Sequence, residues 1–273
     1  MAQIINTNIP SLNAQRNLTT SQGSLNQALQ RLSSGLRVNS AKDDAAGLAI
    51  ASNMDSQSRG MVVAMRNAND AISAAQTAEA GFNAIGTHLQ RMRELAVQAA
   101  SGQYDSVNRT ALDKEYQQLA SEISRVVDAT TFNGQHLLNG DWAAGVAFQV
   151  GATTVTADSR INIQITEIGH NFGNLIDSNG AFALAEMVKL DTAIDSANSF
   201  RADLGAIQNR MEGVLLQLGA AQENTEAAKS RIMDADYGAE TAKLSRAQIL
   251  QQAGTAMLAQ ANSVPQNVLS LLR

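Results

Sequence analysis

Apolar residues along this chain recur at alternating steps of three and four, the seam left by helices that pack side by side. The first run is Leu18, Ser21, Leu25, Ala28, Leu32 and Gly35, with Asn8 and Pro10 placed to cap and start its helix. The second is the longest. It passes from Ile50 and Met54 through Ala68, Phe82, Ile85, Leu89 and Met92 to Ala96 and Ala99, with a skipped step around Ala75 to Ala78 and a weak position near Ser58. Asp43 and Asp44 precede it as helix-start carboxylates, and Ser101-Gly102 offers a stop. A helix of about fifty residues would be about 75 Å long, which predicts a rod rather than a compact globule. A third run, Leu112, Tyr116, Leu119, Ile123 and Val126, follows after a short connection and reads as its antiparallel neighbour.

The pattern then changes. Asn133-Gly134, Asn139-Gly140 and Asn179-Gly180 are turn dipeptides. Between them 146–150, 153–156 and 161–165 alternate as short strands of one or two hairpins, in a stretch that holds the single Trp, Trp142. The fourth helical run is Leu204, Ile207, Met211, Val214, Leu218, Ala221, Thr225, Ala228 and Ile232. Asp234 and Asp236 interrupt it. A last seam carries Ala247, Leu250, Gly254, Met257, Ala261, Val264, Val268 and Leu271, with Pro265 expected to bend it or remove one backbone bond. The fold class is therefore mainly α: a long antiparallel helical rod or coiled coil with a small β-hairpin region.

The two end seams alternate large residues with Gly, Ala or Ser. Apolar burial contributes about 25 cal/mol per Å², while ordering a residue's backbone costs about 1–2 kcal/mol. A lone pair of such helices should be marginal. Residues 1 to about 40 and 238–273 are thus expected to be mobile in the isolated chain and to fold when several copies pack.

Composition narrows the chemistry. Of 273 residues, 44% are apolar, so the chain can build a core, and only 16% are charged, so Gln, Asn, Ser, Thr and Ala must cover its surface or be buried against a neighbouring copy. The net charge of −5 argues against nucleic acid, and no apolar stretch is long enough to span a membrane. The N-terminus has no signal-peptide pattern. With no cysteine there is no disulfide, thiolate metal site or cysteine nucleophile. His88, His136 and His170 are scattered and read as solvated side chains. Phosphate loops, dinucleotide fingerprints, HExxH and GxSxG are absent, so no enzyme, cofactor or metal site is expected. Asp43-Asp44 and Asp234/Asp236 read as helix caps. On the second helix, Leu89, Met92 and Ala96 face the seam, and Arg91, Glu94 and Leu95 project sideways or outward as a solvated face.

The stretches MAQIINTNIPSLNAQR (1–16), LSSGLRVNSAKDDAAGLAI (32–50), SRIMDADY (230–237), SRAQILQQAGTAMLAQ (245–260) and ANSVPQNVLSLLR (261–273) resemble bacterial flagellin, over roughly 1–140 and 183–273. The resemblance implies a structural subunit of the flagellar filament, self-assembling into a helical tubular polymer for motility. It implies an inner terminal domain of 1–40 with 238–273, and a rod domain, 41–237, carrying the hairpin region at about 141–182. The expected location is extracellular, in the flagellum, reached by the flagellar type III export channel. The implied partners are other subunits, the filament cap, hook-associated junction proteins and an export chaperone. Leu18, Leu25, Leu32, Leu250, Met257, Val264, Val268 and Leu271 are then the expected assembly residues. Arg91, Leu95 and Glu115 match a rod surface bound by the vertebrate innate receptor TLR5, and are expected to serve subunit packing as well. Larger relatives insert outer domains where this chain has only 153–182, which implies a short form. Two alternative readings are a hook–filament junction protein and a flagellin-like surface protein that binds polysaccharide.

Overall fold

The computed structural model describes residues 7–152, 159–169, 171–176 and 180–270, of which 264–270 are described as backbone alone. Helix α1 runs Ile9–Ser34, α2 Ala45–Ala100 and α3 Ser106–Ala129. Strands β1 (Thr131–Phe132), β2 (Gln135–His136), β3 (Val146–Gln149) and β4 (Arg160–Ile163) follow, then α4 (Ala181–Met233) and α5 (Tyr237–Ser270). The strand expected at 153–156 lies outside the described residues, as does His170.

The helix signals in the sequence act as expected. Asn8 caps α1 by accepting the Ser11 N–H at 3.1 Å, with Pro10 in the first turn. Asp44 accepts the Gly47 N–H at 2.8 Å at the start of α2, and Asp236 accepts the Gly238 and Ala239 N–H groups at 2.9 and 3.1 Å at the start of α5. The other two carboxylates do different work. Asp43 holds the preceding loop through the Ser40 N–H at 3.0 Å, and Asp234 accepts the Ser230 hydroxyl at 2.6 Å. Helix α5 continues past Pro265 to Ser270.

By their contacts the residues fall into two compact units, Met1–Ser56 with Asn224–Arg273, and Gln57–Glu223. In the first, α1 and α5 pair antiparallel. The seam positions Leu18, Ser21, Leu25, Ala28 and Leu32 are the shielded side of α1. Opposite them α5 presents Leu244, Ala247, Gln251, Gly254, Leu258 and Ala261. This is a heptad line, and it differs from the expected one: Leu250 and Met257 lie off it, 50% and 63% exposed. The small residues explain the shift. A Cβ on Gly254 would lie 3.2 Å from Leu18 Cδ1, so α1 comes close to α5 on the side that carries Gly254 and buried Ala247, and Leu250 and Met257 are left outside.

The second unit is built around one apolar core that takes side chains from α2, α3, α4 and both hairpins. Asn133-Gly134 forms the two-residue turn of β1–β2, with φ of 50° and 76° as such a turn requires. Strands β3 and β4 pair antiparallel with Val146 opposite Ile163 and Phe148 opposite Ile161. Ile161 and Ile163 point into the core while Arg160 and Asn162 face out. Phe82 stacks on Phe200 at a centroid distance of 5.5 Å, joining α2 to α4. Helix α4 begins at Ala181, more than twenty residues before the fourth seam run. Its first buried positions, Ala183, Glu186, Leu190, Ala193 and Ala197, keep the steps of three and four, but only Leu190 among them is a large apolar side chain.

Candidate functional site

Two surfaces correspond to the residues singled out in the sequence, one in each unit. The first is the terminal helix pair. Polar ties hold it in register at intervals along its length. Asn8 Nδ2 donates to the Ala261 carbonyl at 2.9 Å, Ser11 Oγ to Asn262 Oδ1 at 2.8 Å and Gln251 Nε2 to Gln22 Oε1 at 2.7 Å. Glu240, almost fully buried, accepts from Arg31 at 3.2 Å and from Lys243 at 2.7 Å. Lys243 first, then Arg31, hold the Glu240 carboxyl below the usual carboxylate range. At the base of the pair the chain turns at Gly35 (φ 72°), and the Arg37 N–H donates to the Met233 carbonyl at 2.6 Å.

Among the polar residues that this pairing leaves uncovered are several large apolar ones. Ile9, Leu12 and Leu29 on α1 and Ile249, Leu250 and Met257 on α5 are exposed. Leu250 and Met257 line a groove with Pro10 and Ala14 of α1. Of the expected assembly residues, Leu25 is buried and Leu18 and Leu32 are half-buried in the intrachain seam, whereas Leu250 and Met257 face outward. The side chains of Val264, Val268 and Leu271 lie outside the described residues.

The second surface lies on α2 and α3. Arg91 Nε donates to Glu115 Oε1 at 2.8 Å and its Nη1 to Glu94 Oε2 at 2.8 Å. Both partners, Glu115 foremost, raise the guanidinium's proton affinity. Arg93 reaches Asp191 of α4 at 2.5 Å. These groups are exposed, Arg91 and Glu94 among them as the spacing leads one to expect. Leu95 is not: it is 1% exposed, inside the core. The expectation that it projects outward fails because α2 here packs against both α3 and α4, so its buried face widens to Met92, Leu95, Ala96 and Ala99. The structure thus brings Arg91 and Glu115 together at the surface and places Leu95 beneath it.

The sequence reading missed a buried polar network in the same unit. Glu186 of α4 accepts from the Tyr116 hydroxyl at 3.2 Å, the Gly173 N–H at 2.9 Å and Lys189 at 2.7 Å. Asp113 of α3 accepts the Leu175 N–H at 2.7 Å. Two carboxylates, one from each helix, hold the segment 173–175 by its backbone. Arg109, also buried, donates to the Ala99 and Ser101 carbonyls at 2.8 and 3.3 Å and so satisfies the end of α2. A charged residue on an otherwise apolar helix face was the available signal for Arg109, Asp113 and Glu186.

Known proteins identify the architecture. Residues 5–143 match the model of the bacterial flagellin N-terminal helical region, and 187–272 that of the C-terminal helical region. The chain belongs to the bacterial flagellin family. It is 42% identical to a flagellin of Halalkalibacterium halodurans over 274 residues, covering 99% of this chain and 100% of that one. It is 40% identical to the flagellar filament 33 kDa core protein of Treponema phagedenis over 290 residues, covering 99% and 100%. The Bacillus cereus flagellin crystal structure superposes with a TM-score of 0.50 at 32% identity, over 56% of this chain and 88% of that one. As a flagellin, the chain is a structural subunit of the flagellar filament that polymerises with its own copies, and it is not an enzyme. Full-length likeness to filament flagellins favours this over a junction or polysaccharide-binding role. Among the described residues no helix is long and apolar enough to cross a membrane.

Proposed function

We propose that the subunit polymerises through the apolar surface that α1 and α5 leave uncovered, and that its ends gain their stability from neighbouring copies. The observation that carries this is the exposure of Leu250 and Met257 beside an already completed intrachain seam. A pair of helices held by small residues and a few polar ties has little apolar burial of its own. A second copy laid against Leu250, Met257 and Ile249 supplies what is missing. The two sides of such a contact differ, so it need not close and generates a helical polymer. On this reading 1–40 and 238–273 form the inner domain, and 41–237, with its hairpin region at about 141–182, the rod. Val264, Val268 and Leu271 extend the assembly surface.

The same reading includes passage through the flagellar type III export channel, an export chaperone for the C-terminal segment, the filament cap and the hook-associated junction proteins. Arg91 and Glu115 form a subunit-packing surface that TLR5 recognises on the free monomer, with Leu95 shaping it from below. Removing 238–273 tests the central claim. The truncated chain is expected to retain the helices of 57–223 by circular dichroism and to form no filaments by electron microscopy. Filaments of normal length from it overturn the proposal.

A further inference from the structure

Asn-Gly pairs punctuate the stretch between α3 and α4, and the two in the described residues are built differently. Asn133-Gly134 is the tip of β1–β2, both residues left-handed. Asn139-Gly140 sits in the loop between β2 and β3. There Asn139 Oδ1 accepts the Asp141 N–H at 3.0 Å, which closes a side-chain turn over the Gly140 peptide. Gly140 has φ of 93°, and its carbonyl accepts the Ala143 N–H at 3.0 Å. Buried Leu138 and Trp142 pin the loop on either side.

We propose that Asn139 is a site of spontaneous modification, where its side-chain amide is converted to aspartate and isoaspartate through a cyclic imide formed with Gly140. Solvent hydroxide takes the Gly140 amide proton. The nitrogen lone pair attacks Asn139 Cγ, a C–N bond forms, and negative charge collects on Oδ1. Collapse breaks the Cγ–Nδ2 bond, and ammonia leaves after taking a proton from water. One water then opens the ring at either carbonyl, with no change of oxidation state.

The loop favours each step. The Asp141 N–H already points at the oxygen on which charge develops, the arrangement that stabilises an oxyanion. The side-chain turn restricts the Asn139 amide to the span of the Gly140 peptide, and glycine has no Cβ to obstruct ring closure. Asn133 is held against the same chemistry. Its φ of 50° puts it in the left-handed region, where ψ is typically about +47°; that sets Cβ and the next nitrogen on opposite sides of the Cα–C bond, so attack requires the hairpin turn to open. Conversion at Asn139 also has a consequence. It places a new carboxylate beside Asp141 and near Glu167, whose Oε2 lies 3.7 Å from the position a Gly140 Cβ would occupy. The isoaspartate form lengthens the backbone of the loop that carries Trp142.

The test follows the intact chain over time at mildly alkaline pH, in native buffer and in concentrated urea. Peptide mass spectrometry locates the gain of about one dalton and the isoaspartate linkages. Asn139 is expected to convert about tenfold faster than Asn133 in the native protein, as one well-aimed donor can supply. In urea, where both are the same dipeptide in an unfolded chain, the ratio should fall to about one. Equal native rates, a faster Asn133, or the native ratio persisting in urea each overturn the proposal. Asp141→Pro removes the donor and is expected to bring Asn139 down toward the Asn133 rate with helicity unchanged. An unchanged rate in a folded Asp141→Pro chain also overturns it. Should that variant not fold, the native-against-urea ratio decides alone.

Discussion

The Glu186 carboxylate of α4 meets the Gly173 backbone so closely that a Cβ on Gly173 would come within 2.7 Å of Oε1. That carboxylate is 4% exposed and also accepts from the Tyr116 hydroxyl. Removing it takes the partner from the buried Tyr116 hydroxyl and from the Gly173 N–H, whose residue is exposed. Glu186→Ala is therefore expected to lower unfolding free energy by about 2–4 kcal/mol, read by urea denaturation. Adding Tyr116→Phe should recover part of the loss, because it deletes one orphaned donor. A double variant no more stable than Glu186→Ala would show that the Tyr116 bond is not part of the effect.

The same network sets an alkaline limit. Burial first, then the charge of Glu186, pushes the Tyr116 hydroxyl well above the ordinary phenol range. A group whose folded pKa is raised keeps its proton in the folded chain after the unfolded chain has lost it. Its stability contribution is complete below the ordinary phenol pKa of about 10 and declines as pH rises beyond it. Stability measured against pH should fall on the alkaline side, and Tyr116→Phe should flatten that fall. Identical alkaline limbs in the two proteins would contradict the assignment.

Glu240 gives the acid counterpart in the terminal pair. Lys243 and Arg31 depress its pKa, so its contribution is present above the ordinary carboxylate range and is lost as pH falls through the lower folded value. In assembled filaments the protection of the α1 amides against hydrogen exchange, corrected for the intrinsic pH dependence, should fall as pH drops below the ordinary carboxylate range. In the same filaments Glu240→Gln should weaken α1 protection at neutral pH and remove most of that acid dependence.

How much of this was legible depended on whether a buried position looks buried. The α1 seam, the Asn8 and Asp44 caps and the Asn133-Gly134 turn were readable, since each couples residue type to one local geometry. Leu95 was misplaced because three and four steps describe one neighbour, whereas α2 has two in the core. Ser58 looked like a weak link and is nonetheless buried. Leu250 and Met257 looked like seam residues, yet Gly254 and Ala247 draw the partner helix to the small-residue line. The seam pattern missed the first half of α4 for a related reason: along the buried line Ala183, Glu186, Leu190, Ala193 and Ala197 only Leu190 is a large apolar residue.

Two glycines of α2 separate helix propensity from packing. A Cβ on Gly81 would meet Leu138 Cδ1 at 2.7 Å and Thr130 Oγ1 at 2.9 Å, whereas one on Gly86 has nothing within 4 Å. Gly86→Ala is expected to stabilise by about 0.5–1 kcal/mol, the propensity difference alone. Gly81→Ala should destabilise by about 1–3 kcal/mol despite the same gain, because buried Leu138 has to move. Thermal unfolding of the two variants should shift in opposite directions, and equal shifts would mean that the α2 approach to this turn is looser than the geometry indicates.

The terminal pair allows folding and assembly to be separated by side chain. Leu25 lies in the intrachain seam, so Leu25→Ala should cost about 2–3 kcal/mol of the terminal pair's stability where that pair is formed, in the filament, and weaken the filament against depolymerisation. Leu250→Asp and Met257→Asp change only exposed positions, so monomer helicity and denaturation midpoint should stay within error of the parent chain. Both nonetheless should abolish filament growth on seeds, since a neighbouring copy would have to bury an unpaired carboxylate. Arg91→Ala belongs with this second class: its ion pairs are solvent-exposed, so the monomer should fold as before, while packing and receptor signalling by free monomer should weaken. If Leu250→Asp assembled normally and Leu25→Ala did not, the apolar surface outside the seam would have no part in polymerisation, and the intrachain pair alone would determine it.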